Sequence, residues 1–137
     1  MKNDPTTINP KIELNGIHHI GLNTANMQQA EKFYTDILGF PVLMRTRTKG
    51  GLQHIEVDAG NVAIALFESP HLDLEQGQKI MTQKGYLHFA FGAAKEQFES
   101  IVQALKENKV NMDGELRNNA VYFFDPDGHQ LEIHIGE

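Results

Sequence analysis

One short pattern occurs twice in this chain. His18-His19-Ile20-Gly21-Leu22-Asn23 returns as Leu87-His88-Phe89-Ala90-Phe91-Gly92. Each copy alternates with the period of a strand, large apolar side chains on one face and a histidine with small residues on the other. Each is followed by a stretch of helical spacing, then short strand patterns, then a turn into a final apolar strand. A duplicated unit of this size cannot bury its sheet alone. The repeat therefore predicts one α+β domain of two tandem βαβββ modules.

The first module spans residues 16–68. Gly16 to Asn23 reads as a strand, and Thr24 or Asn26 can cap the helix that follows. Met27, Ala30, Phe33, Tyr34, Ile37 and Leu38 keep helical spacing to the Gly39 stop, and Pro41 prevents the helix resuming. Strands are expected at Val42 to Thr48, Leu52 to Val57 and Val62 to Phe67. Residues 69–84 read as a linker, with Ile80 and Met81 placed near the pocket mouth. The second module, residues 85–137, repeats the order. It has a strand at Gly85 to Phe91, a helix at Lys95 to Asn108 and a weak strand or loop at Val110 to Arg117. Strands at Ala120 to Phe124 and Gln130 to Ile135 flank the turn Asp125-Pro126-Asp127-Gly128.

Composition removes several functions. The chain has 137 residues, a net charge of −6 and no cysteine. The acidic balance argues against nucleic acid and anionic membranes as partners. Without cysteine there are no disulfides, thiolate metal sites or cysteine nucleophiles. Residues 1–15 read as a polar, flexible leader without a secretory apolar core, and no apolar run could span a bilayer. The expectation is a cytoplasmic protein whose single domain covers residues 16–137.

Strand parity puts His19, His88 and Glu132 on faces opposite the large apolar residues of their strands. A carboxylate buried there without a partner would cost several kcal/mol. Two imidazoles and a carboxylate facing one space instead form a divalent-metal site with open positions. Mn²⁺, Fe²⁺, Ni²⁺ or Zn²⁺ would suit these ligands. Tyr122 is the candidate catalytic and substrate-binding hydroxyl, a donor to a substrate oxygen. Arg45 and Arg47 share a strand face and, if turned inward, would bind an anionic substrate, as would Arg117. His134 shares the face of Glu132 and could support a ligand, whereas His18 points to the helix side. His54 and His129 have no evident role, and Asp125 and Asp127 are turn formers.

Taken together, His19-Ile20-Gly21-Leu22, Phe33-Tyr34-Thr35-Asp36-Ile37-Leu38-Gly39-Phe40 and the run Phe123 to Glu132 resemble the vicinal oxygen chelate superfamily. That group includes glyoxalases, bleomycin-resistance proteins and extradiol dioxygenases. The resemblance implies a U-shaped half-barrel around the metal, a homodimer, and ligands at His19, His88 and Glu132. The second half is most similar to the fosfomycin-resistance thiol transferases, which implies Lewis-acid catalysis and a thiol co-substrate. The expected function is a metal-dependent lyase or transferase acting on a small, oxygen-bearing, anionic substrate. The alternatives are an extradiol-type dioxygenase and a metal-free drug- or metabolite-binding protein. The chain departs from its nearest likeness at Gly21, where that family has threonine, and near Met112, Leu116 and Ala120, which implies another substrate. Ala65 stands where glyoxalase I has a further carboxylate ligand. Asp113 stands where a dioxygenase would hold its acid-base histidine; His71 could replace it only by chance geometry.

Overall fold

The computed structural model describes residues 12–70, 87–114 and 119–135. The first module runs β1 (His19–Thr24), α1 (Met27–Lys32), β2 (Val42–Arg47), β3 (Gln53–Asp58) and β4 (Ala63–Glu68). The second runs β5 (Phe89–Ala93), α2 (Phe98–Glu107), β6 (Asn111–Met112), β7 (Ala120–Phe124) and β8 (Gln130–Ile135). The sheets have the same topology, β1-β4-β3-β2 and β5-β8-β7-β6. In each, the first strand lies parallel to the last and the other pairs are antiparallel. Among the described residues neither sheet closes into a barrel. The α+β class and the paired βαβββ modules are as the repeat predicts.

Asn26 rather than Thr24 caps α1, its Oδ1 accepting from the Gln29 amide at 3.1 Å. The continuous helix expected to Leu38 instead widens into a π-helical turn at Phe33–Ile37. The Leu38 amide reaches back to the Phe33 carbonyl at 3.1 Å, absorbing one extra residue. Gly39, at φ +79°, then lets the Phe40 amide close on the Tyr34 carbonyl at 3.0 Å. In the second module a 3₁₀ turn, Lys95–Gln97, precedes α2.

A single core joins the modules. Leu22, Phe33, Ile55, Val57 and Ile64 of the first pack in one cluster with Val102, Leu105, Phe123, Leu131 and Ile133 of the second. Full burial of side chains this large stabilises by about 1.5–3 kcal/mol each. The Phe33 and Phe123 rings lie 6.4 Å apart, and Phe40 meets Phe91 edge-on at 5.3 Å. Polar contacts add direction: the Ala25 amide donates to Asp127 Oδ1 at 2.9 Å, and His129 Nε2 lies 2.9 Å from the Asn23 carbonyl. The helix side of each sheet is thereby consumed. Outside it stand His19, Gly21 and Asn23 of β1 and Ala90 and Gly92 of β5, all exposed.

Candidate metal centre

The residues on the side of the second sheet away from the core build a polar centre. Glu132 lies in β8, its side chain 9% exposed. His88 Nε2 approaches Glu132 Oε1 at 3.2 Å, and His134 Nδ1 approaches Oε2 at 3.2 Å. Tyr122 stands directly opposite Glu132 on β7, and its ring centroid lies 6.2 Å from that of His88. Strand pairing explains the grouping. Ala90 is the β5 partner of Glu132, so a small residue flanks the carboxylate on one side and Tyr122 on the other.

The donor chemistry fits a divalent cation. Glu132 Oε1 is an acceptor, and His88 Nε2 faces it across 3.2 Å, a donor in one neutral tautomer and an acceptor in the other. They need either a proton between them or a cation that both can ligate. His134 then holds the second carboxylate oxygen, which fixes the orientation of the group.

His19 is not part of this cluster. It is the first residue of β1, exposed, with its Nδ1 2.9 Å from His18 Nδ1. His18 therefore lies beside His19 at the surface and not in the helix-facing layer. Among the described residues no three His, Asp or Glu side chains of one chain converge on a metal-sized site. Both histidines also sit at the entry to a strand rather than in its middle: β5 begins at Phe89.

Neither arginine of β2 turns toward this centre. Arg45 pairs in register with Ile55, whose side chain is in the core. Arg45, and by parity Arg47, therefore project on the helix side of the sheet. Arg45 forms an ion pair with Glu31 of α1, and Arg47 Nη1 donates to the Gly51 carbonyl at 2.7 Å. The structure does not bring either to the metal centre. Val42-Leu43-Met44 carries no alternation, so the sequence could not fix the parity of β2. Arg117, His71, Ile80 and Met81 lie outside the described residues. Asp113 accepts a hydrogen bond from Gln130 Nε2.

A second polar pair lies on the side of the first sheet away from the core, at residues with no role evident in the sequence. His54 Nε2 is 3.4 Å from Glu56 Oε2. The repeat gives its address. Gly21 pairs with Ala65 and Ala65 with Glu56, as Ala90 pairs with Glu132 and Glu132 with Tyr122. Ala65 thus occupies the Glu132 position of the first module, and Glu56 the Tyr122 position. Aligning the modules through their last two strands is the signal that would have found it.

Comparison with known proteins agrees with this architecture. The family model described as Glyoxalase/Bleomycin resistance protein/Dioxygenase superfamily matches residues 16–133. The metallothiol transferase FosB of Staphylococcus haemolyticus is 32% identical over 128 residues, covering 90% of this chain and 85% of that protein. The glutathione transferase FosA of Serratia marcescens is 29% identical over 126 residues, covering 90% and 82%. The fold is shared with the fosfomycin resistance protein FosX of Listeria monocytogenes, solved with Mn(II) and a sulfate ion. That likeness has a TM-score of 0.72 at 22% identity and covers 91% of this chain and 95% of FosX. The chain belongs to the glyoxalase/bleomycin resistance/dioxygenase superfamily, an enzyme family of the vicinal oxygen chelate type.

Proposed function

We propose that this chain is a divalent-metal-dependent transferase that adds a thiol to a small, oxygen-bearing, anionic electrophile. The observation that carries the reading is the 3.2 Å approach of His88 Nε2 to the nearly buried Glu132 carboxylate, with Tyr122 in register beside it. Relatives named metallothiol and glutathione transferases, at 32% and 29% identity, supply the reaction class.

His88 and Glu132 would hold the cation with His19 as the third ligand. When bound, the ion supplies Lewis acidity toward a substrate oxygen. Two neutral imidazoles and one carboxylate leave a divalent ion with net positive charge, which favours an anionic ligand. His134 keeps the Glu132 carboxylate from rotating. Tyr122 donates its hydroxyl proton to a substrate oxygen and orients it. Ala90 and Gly92 leave the floor of the site open.

His19 comes from a second copy in this reading. β1 and β5 are edge strands of their sheets, and each is entered through one of the two histidines. Ile17, 70% exposed, leads into β1, and Leu87, 62% exposed, leads into β5. A homodimer that joins β1 of one chain to β5 of the other covers both edges and completes the triad.

The test is metal analysis of protein purified without chelators or a metal-affinity tag, followed by thiol consumption. About one equivalent of Mn²⁺, Fe²⁺, Ni²⁺ or Zn²⁺ per chain is expected. His88→Ala should lose it, and glutathione should be consumed with small phosphonate or carboxylate epoxides only in the metal-loaded protein. A content that His88→Ala does not change would sink the reading.

A further inference from the structure

We infer that Glu56, oriented by His54, is the group on the first module's wall that removes the proton of the incoming thiol. The inference rests on the thiol-transfer reading above. It begins with the missing carboxylate at Ala65. The row Gly21–Ala65–Glu56 crosses β1, β4 and β3 with nothing larger than a methyl group until Glu56. The carboxylate absent from β4 is present one strand further out, on the same face. This face of the first module has a floor of small residues, Gly21 exposed and Ala65 fully buried, and Glu56 stands at its far edge.

The surroundings fix how Glu56 is held. His54 stacks on Phe67 with ring centroids 4.1 Å apart and planes 14° from parallel. Its Nδ1 lies 3.0 Å from the Leu66 carbonyl, an acceptor, so Nδ1 carries a proton. Nε2 is thereby turned to Glu56 Oε2 at 3.4 Å, and it donates to that carboxylate when the ring is protonated on both nitrogens. The stack and the carbonyl allow the imidazole no other useful orientation. Phe67 also bounds the floor, since a Cβ at Gly21 would lie 3.6 Å from its Cε2. Both arginines of β2 are engaged on the other face, so among the described residues His54 is the ion-pair partner of Glu56. The Glu56 side chain keeps 24% of its surface exposed, which leaves the carboxylate within reach of a ligand.

The step balances without an added reagent. Glu56 takes the proton of the S–H group. The sulfur electron pair forms the new C–S bond at an epoxide carbon. The C–O bond breaks with its pair on oxygen, and that oxygen regains a proton from the Glu56 carboxyl group or from water. Glu56 is catalytic in this scheme and His54 is a positioning residue.

The experiment uses the Mn²⁺-loaded full chain mixed with glutathione under anaerobic conditions. Thiolate is read by ultraviolet difference absorbance, and bound Mn²⁺ by electron paramagnetic resonance. Wild type should give a saturable thiolate signal. Glu56→Gln should lose most of it at unchanged Mn²⁺ stoichiometry, and Glu56→Asp should restore part. With an epoxide present, Glu56→Gln should lower kcat roughly a hundredfold or more. His54→Gln should lower kcat with little change in KM. Equal thiolate signals in wild type and Glu56→Gln, with Mn²⁺ bound in both, would overturn the assignment of Glu56 alone. No thiolate signal in wild type, or no bound Mn²⁺, would overturn the transferase reading together with it.

Discussion

The hydroxyl of Tyr34, in the π-helical turn after α1, donates to Asp125 Oδ2 at 2.6 Å and joins the first module to the β7–β8 turn of the second. Asp125 is committed to that turn, since its Oδ1 accepts from the amides of Asp127 and His129, both at 2.9 Å. The contact sets the angle between the modules at a buried point, and the residues of both half-sites are carried on the sheets it joins. Burial, and then the nearby Asp125 charge, raises the Tyr34 hydroxyl well above its ordinary range. Burial likewise raises the Asp125 carboxyl.

Tyr34→Phe should therefore cost about 1.5–3 kcal/mol at neutral pH, the worth of a hydrogen bond to a charged acceptor. The alkaline behaviour gives the sign. A phenol whose folded pKa lies above its unfolded value of about 10 contributes its full stability below that pH. The contribution is lost as pH rises through the folded value. Urea unfolding from about pH 7 to about pH 11 should show wild type approaching Tyr34→Phe in stability. A gap that stays constant or widens would show that the hydroxyl is not the coupling group.

His134 tests whether the metal centre depends on residues beyond its ligands. Its Nδ1 holds Glu132 Oε2 at 3.2 Å while Oε1 faces His88. His134→Ala frees the carboxylate to rotate and should weaken Mn²⁺ binding by about 10–100-fold. Titration calorimetry on chelator-stripped protein would measure the change. Affinity equal to wild type would mean that His134 only fills space.

The duplicated architecture was legible because the alternation in both copies is regular. β7 and β8 fall at the bounds their sequence predicts, because Asp125-Pro126-Asp127-Gly128 pins the turn between them. β5 extends to Ala93 because Gly92 and Ala93 pair with His134 and Ile135, although such small residues give no strand signal of their own. Glu132 and His134 could be placed on one face by parity alone, whereas Tyr122 joins them only through the β7–β8 register. Parity put Arg45 and Arg47 on one face, as found, but left open which face, because the apolar run of β2 does not alternate. The His54–Glu56 pair could be seen as neighbours in a strand. Its meaning depends on the Ala65 register, which exists only once β3 and β4 are paired.

Mixing separately purified His19→Ala and His88→Ala proteins tests where the third ligand comes from. In a dimer that shares sites across chains, each mixed dimer keeps one intact centre and one doubly broken centre. An equimolar mixture that exchanges freely should regain about a quarter of the wild-type Mn²⁺ sites. If His19 served its own chain, the mixture would bind no more than the two variants apart.

Ala65→Glu tests the equivalence of Ala65 and Glu132 directly. The position is fully buried and faces Glu56 across the β3–β4 pair. A carboxylate there meets a like charge directly opposite, an arrangement that destabilises a sheet. It also adds volume to a filled site, which typically costs about 1–3 kcal/mol. If Ala65 marks a vacant ligand position beside His19, Mn²⁺ should relieve this repulsion by binding the new carboxylate. The variant should then melt below wild type in chelator yet gain more than wild type on Mn²⁺ saturation, because binding to the folded state alone adds stability with affinity. Thermal unfolding with and without Mn²⁺ measures both terms. A metal-induced rise no larger than that of wild type would place Ala65 outside the coordination sphere and undo the register argument.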